Sequence, residues 1–341
     1  MAVAEINNGY TTTNDVSRIV SSINNTPKKK LFQILSPFEQ YNVYGTLTGL
    51  LNDFVGDIEI QSSVGVANVD LLFRDEPGDR GQYFSGYVST EQFNIGQIIQ
   101  TPILGHVTMD ATVEAKIAKE WYGGNNIKLH KLKIKELDFN KYKYRDISAE
   151  GTYTSNSFDG KIVSNDPNLN MMFQGLFTFN KESSNKYKFY ADIPYANLKE
   201  LNIDNRFEKL EISMNVQSNF VKTHDNNIVG YVNIEDAHLN NSNNKYHFDR
   251  IRLSSAENHR DSIYTASVES PFIKAKYKGK ATIIDFIKRI KEIAIASKID
   301  NFLQDNRIRE HSIGEYELDI VTNNSIGICD VLMPGLYIHQ D

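Results

Sequence analysis

From about Phe38 to Tyr277, apolar and polar residues alternate in runs broken by clusters of Gly, Asn, Asp and Ser. This pattern predicts strand after strand, because successive side chains of an extended chain point to opposite faces. Val107, Met109, Ala111 and Val113 alternate with Thr108, Asp110 and Thr112, and Leu210, Ile212, Met214 and Val216 with Glu211, Ser213 and Asn215. Each such strand has one apolar and one polar face. Two helical patterns interrupt the series. The first spans Asn14 to Ile23, with Asn14 at the cap and Val16, Ile19, Val20 and Ile23 on one side. The second runs from about Thr282 to Leu303, with Ile283, Phe286, Ile287, Ile290, Ile293 and Ala294 opposite Lys288, Arg289, Lys291 and Glu292. It reads as a helix packed on a sheet or plugging its end, since a membrane-surface helix carries a more uniformly basic polar face.

The strand pattern repeats. Tyr87 to Ile98 aligns with Tyr190 to Leu201, and Val107 to Val113 with Leu210 to Val216, both at an offset of 103 residues. A third copy follows: Tyr142, Tyr144 and Ile147 match Tyr246, Phe248 and Ile251, and Pro167 and Gly175 match Pro271 and Gly279, at an offset of 104. The implied organisation is an N-terminal helix and linker over residues 1–37, β repeats over 38–141 and 142–245, and a third repeat over 246–341 that contains the helix at 282–303. A repeat this long exceeds a propeller blade or solenoid coil, so each copy must hold several strands, about seven at the usual strand length and spacing. The expected fold class is mainly β: an elongated, strongly curved antiparallel sheet forming an open groove from tandem repeats, with one short and one longer amphipathic helix.

Composition fits that picture. Aromatic residues make up 11% of the 341, with 18 Tyr and 18 Phe, which suits half-buried pleated surfaces. The net charge is -6, with acidic and basic residues interspersed, which argues against nucleic acid as a partner. The basic run Lys28-Lys29-Lys30 reads as a solvated loop. The single cysteine, Cys329, excludes a disulfide framework and a multi-cysteine metal site, and beside Ile328 it reads as buried. Neither a signal peptide nor an apolar stretch of about 20 residues is visible.

Chemical motifs are sparse. The eight histidines are scattered, and the nearest to a cluster, His224, His238, His247 and His259, lie about a strand length or more apart, so no metal site is expected. Asp75 to Gly81 lacks the ligand alternation of a calcium loop and reads as a hairpin turn. There is no Gly-x-Ser-x-Gly elbow and no phosphate-cradling loop; Gly123-Gly124-Asn125-Asn126 has the composition of a turn, and Gly45 and Gly49 lie within a strand. No catalytic residue, cofactor or enzymatic activity is expected.

The stretch Tyr44 to Phe73, YGTLTGLLNDFVGDIEIQSSVGVANVDLLF, resembles TamB (translocation and assembly module) proteins of the AsmA-like family, Bacteroidetes type. So do the segments starting at Tyr87 (YVSTEQFNIGQII), Leu104 (LGHVTMDATVEA), Phe139 (FNKYKYRDISAEGTY) and Phe189 (FYADIPYANLKELNI). The resemblance implies an internal fragment of a periplasmic protein, anchored in the inner membrane when full length, whose apolar groove carries phospholipid between inner and outer membranes. The implied partners are phospholipid acyl chains and, in the full-length protein, an Omp85-type outer-membrane barrel. By the same resemblance, the family's N-terminal membrane helix and C-terminal domain are expected to lie outside this stretch of sequence. Residues expected to line the groove are Ile58, Ile60, Val69, Leu71, Phe73, Val107, Met109, Ala111, Val113, Leu132, Ile134, Ile147, Ala149, Leu210, Ile212, Met214, Val216, Ile251 and Leu253. Two other readings stay open: a scaffold for outer-membrane protein assembly or secretion that lends strand edges to a client, and an adhesin or glycan enzyme on a closed β-helix.

Overall fold

The computed structural model of the chain describes residues 2–15, 40–50, 52–76, 78, 81–118, 124–180, 183–224, 227–288 and 316–322. The expected fold class is observed in its main terms: the described residues are mainly β, in antiparallel strands. The chain divides into two compact units, Met1–Gln174 with Ala196–Arg206, and Gly175–Tyr195 with Phe207–Asp341.

The first unit is a meander. It contains β1 (Ala2–Thr12), β2 (Gln40–Leu50), β3 (Asp53–Ser62), β4 (Gly65–Glu76), β5 (Gly81–Asn94), β6 (Leu104–Ala118), β7 (Asn126–Phe139), β8 (Tyr142–Thr154) and β9 (Ser157–Asp166). Each of these pairs antiparallel with the next in sequence. Two strands contribute residues to both units, β10 (Leu169–Thr178) and β11 (Asn185–Asn197). The second unit continues with β12 (Leu210–Lys222), β13 (Ile228–Asn241), β14 (Lys245–Asn258), β15 (Ile263–Glu269), β16 (Ile273–Gly279) and β17 (Tyr316–Thr322), again paired consecutively and antiparallel.

Local chemistry explains how the strands turn back. Asn140 and Lys141 take positive φ of 51° and 64° between the paired residues Phe139 and Tyr142. This is the two-residue turn whose twist matches that of its flanking strands. Between β5 and β6, the short helix α1 (Ile95–Ile98) is capped by Asn94, whose side-chain oxygen accepts from the Gln97 amide at 3.1 Å. Its apolar side closes a small core of Tyr41, Val64, Val43, Ile60, Phe93 and Ile98.

Glycine lets neighbouring backbones in the first unit approach closely. Gly86 has φ 155°, and a Cβ there would lie 2.0 Å from the Asp70 carbonyl oxygen on the neighbouring strand. Gly151 has φ 156°, with the Asp159 carbonyl oxygen 2.6 Å from a Cβ. Such backbone approach at kinks is a means of curving a sheet. Register shifts between Thr90 and Phe93, and between Leu129 and Leu132, add bulges that increase local twist.

Three expectations change. Residues 2–12 form a strand paired with β2, where an N-terminal helix and linker were expected over 1–37. Its alternation is masked by Asn7-Asn8-Gly9, where the register shifts between Ile6 and Gly9. The helical turn after β1 begins at residue 13, and Thr12 rather than Asn14 holds its start: the Asp15 amide donates to the Thr12 hydroxyl oxygen at 3.4 Å, and that hydroxyl donates to the Asp15 carboxylate at 2.7 Å. Finally, the segments 38–141 and 142–245 each contain six described strands, β2 to β7 and β8 to β13, rather than about seven. Strands in this sheet are longer than assumed, up to the 15 residues of β6.

Among the described residues no helix is long and apolar enough to cross a membrane. The remainder of both predicted helices (16–23 and 289–303), Lys28 to Lys30 and Cys329 lie outside the described residues, as do Pro77, Asp79 and Arg80 of the 75–81 turn.

Candidate functional site

Cross-strand partners in an antiparallel ladder share a face, so the register decides which side each residue occupies. In the first unit, Gly45 on β2 pairs with Ile58, Ile58 with Val69, Val69 with Val88 and Val88 with Ala111. The same row continues through Leu132 and Ala149 to Ile162 on β9. Two residues along the strands, a second row runs Leu47, Gly56, Leu71, Gly86, Val113, Leu129, Gly151, Gly160. Large side chains there lean over glycines: a Cβ at Gly56 would meet Leu47 at 2.8 Å, and one at Gly160 would meet Phe158 at 2.7 Å.

A third row joins Val43, Ile60, Ala67, Thr90, Met109, Ile134 and Ile147. Beyond the second row, Phe54, Phe73 and Phe84 meet across β3 to β5, with ring centroids 4.9 and 5.3 Å apart. This face is therefore apolar across eight strands, β2 to β9. All thirteen of the predicted groove residues in the first unit, Ile58 through Ala149, lie on it. Phe73, Val107 and Ala111 are buried, and the other ten are half-buried.

The reverse face is polar. Asp57 pairs with Asp70 and Asp70 with Tyr87. The Tyr87 hydroxyl donates to Asp110 at 2.6 Å, and Lys135 lies 2.9 Å from the same carboxylate. The Tyr87 hydrogen bond, followed by that of Lys135, holds the Asp110 carboxyl below its ordinary value. At these solvent-accessible positions the pairs add little stability.

In the second unit the apolar face is partly roofed. One row joins Phe220, Gly230, Ser255, Ala266, Tyr277 and Leu318; the next joins Ser218, Val232, Leu253, Val268, Ala275 and Ile320. Above them sits the helical segment 283–288. Thr282 starts it reciprocally: its hydroxyl oxygen accepts from the Asp285 amide at 3.2 Å and donates to the Asp285 carboxylate at 2.8 Å. The first turn is thereby fixed, and Phe286 drops onto the sheet, 4.4 Å from the Tyr277 ring and 5.2 Å from Tyr316. Tyr277 in turn donates to the Ala281 carbonyl at 2.8 Å, and burial pushes its pKa up.

Between helix and sheet lies a cavity of about 450 Å³. Phe220, Val232, Leu253, Val268, Ile283, Phe286, Ile287 and Leu318 are among the residues that line it. It is open: Ile287 is 47% and Leu253 38% exposed. The volume falls in the range of ligand sites, about 300–1,000 Å³. The wall is apolar almost throughout, so the site offers van der Waals contact and water exclusion, with little directional bonding.

The predicted residues of this unit share the same face but not the same place on it. Leu253 lines the cavity; Leu210, Ile212, Met214, Val216 and Ile251 lie along the face beside it, Met214 and Ile251 packing on the core pair Ala237 and Phe248. Sequence reading missed the cavity's own lining on β15 to β17, notably Ala266, Val268, Ala275 and Leu318. These strands are seven residues each and read ambiguously as alternation, and their small residues acquire meaning only under a helix. It also separated His238 from His247, which the β13–β14 register makes direct partners on the polar face.

No protein-family model, curated protein or solved structure matches the chain. The site must therefore be read from its chemistry.

Proposed function

We propose that this chain holds lipid acyl chains on the apolar face of its sheet, as part of a TamB/AsmA-like envelope protein that carries phospholipid between inner and outer membranes. The observation that carries the reading is the segregation of faces: register-matched apolar rows cross eight strands of the first unit, and the same kind of face in the second unit opens into a cavity walled by hydrocarbon. An apolar patch of this extent on a soluble protein calls for a covering partner. An acyl chain suits it, because transfer from water gains about 0.8 kcal/mol per CH₂ whatever the registry along the strip. Such a surface lets a lipid slide and needs no catalytic group.

The period of two supplies an internal control. A photo-crosslinking side chain at Val69 or Leu132, on the apolar face, captures acyl chains when the protein is recovered from membranes; the same group at Asp70 or Lys133 does not. Equal labelling of both faces, or no lipid on either, rejects the proposal. Crosslinks to nascent barrel proteins without lipid would instead favour an assembly scaffold.

A further inference from the structure

The polar face of the second unit carries a cluster that the lipid reading does not use. Asp236 and His238 stand on β13, His247 and Asp249 on β14. The register sets His238 directly opposite His247, and the two rings stack with centroids 4.3 Å apart and planes at 14°. Asp236 is held in an unusual backbone state, with φ 48°. Opposite it on β12, the register shifts between Ser213 and Asn215, so β13 bulges at this point.

The bulge has a chemical consequence. It turns the Asp236 carboxylate along the strand toward the histidine pair, placing Oδ1 3.0 Å from His247 Nε2 and 3.8 Å from His238 Nδ1. Asp249 Oδ1 lies 3.7 Å from the same His247 nitrogen. The ligand atoms of Asp236, His238 and His247 all fall within 4.8 Å of one another. Ligands of a tetrahedral zinc ion stand about 3.3 Å apart, given metal–ligand bonds of about 2.0–2.2 Å. Rotamer adjustments of up to about 1.5 Å close that difference.

We propose that Asp236, His238 and His247 bind a divalent transition-metal ion of the zinc type, with Asp249 completing the coordination. Two imidazoles and a carboxylate form a donor set that such ions prefer over calcium or magnesium. All three ligands sit on one hairpin, the loop between β13 and β14 being only residues 242–244, so little further ordering is required to bring them together. His238 and His247 are half-exposed and Asp236 is 67% exposed, so the ion can enter from solvent and would clamp β13 to β14 without contacting the apolar face.

The test is titration of the whole chain with zinc chloride and, separately, cobalt chloride in a non-chelating buffer. Expected are one saturable site by calorimetry and a visible cobalt d–d absorption of low-coordinate type. His238→Gln and His247→Gln each weaken binding at least tenfold, and the double variant abolishes the cobalt band; His259→Gln, which alters a histidine outside the cluster, leaves both unchanged. Circular dichroism of the variants reports whether they keep the fold, as their exposed positions predict. Absence of saturable binding, or binding that survives in the folded double variant, overturns the proposal.

Discussion

If the cavity under residues 283–288 is a hydrocarbon site, its affinity for a single-chain amphiphile must depend on chain length up to a definite limit. Each methylene moved from water into the cavity gains about 0.8 kcal/mol, a factor of about four in Kd. A methylene takes up roughly the space of a water molecule in the liquid, about 30 Å³. A cavity of about 450 Å³ is therefore full at about fifteen carbons, or somewhat fewer because it opens to solvent.

Ala266 sits in the row that faces the cavity, between Ser255 and Tyr277. Ala266→Leu adds three carbons there, roughly 90 Å³, so the plateau arrives about three carbons earlier and the longest chains lose about 2 kcal/mol. Thr265→Leu, one residue away on the opposite face, leaves the series unchanged. The assay is calorimetry with single-chain phosphocholines of increasing length, each below its critical micelle concentration. Affinity that is flat with chain length, or a plateau that Ala266→Leu does not move, refutes the reasoning.

Other outcomes follow from the same geometry. Val69→Asp or Leu132→Asp places a charge amid the apolar rows and abolishes acyl crosslinking from neighbouring positions, read by lipid recovery from the purified variant. Gly86→Ala forces a Cβ to 2.0 Å from the Asp70 carbonyl oxygen at a φ that side chains avoid; it costs about 3 kcal/mol or more, seen as a lower urea midpoint. Tyr142 is pushed up to about 12, by burial first and then by its 2.6 Å hydrogen bond to the buried Asp166. Because the folded pKa is raised, this contribution is fully present below the ordinary tyrosine value near 10 and is lost as pH rises through about 12. The loss is about 1–2 kcal/mol after discounting for solvent screening, and Tyr142→Phe flattens that alkaline limb in urea titrations run across it.

The face carrying Ile58, Val69, Ala111 and Leu132 was legible in the sequence because strand geometry imposes a period of two, which any run of alternating residues displays without knowledge of its partners. The predicted groove residues accordingly lie on one side of each unit's sheet. Where alternation failed, so did the reading. The bulged strand Ala2–Thr12 went unseen, and the seven-residue strands β15 and β16 yielded no site residues.

What the tertiary structure alone decided depends on register. A one-residue slip would send every side chain of a strand to the other face, and outside the tight turns nothing in the sequence shows which residue sits across from which. The cavity exists because Thr282 starts a helix over a patch of small residues contributed by four different strands. The meeting of His238 with His247 and Asp236 likewise arises from a hairpin pairing plus one bulge at φ 48°. Sequence spacing carried the alternation itself; long-range pairing determined which of its residues became neighbours.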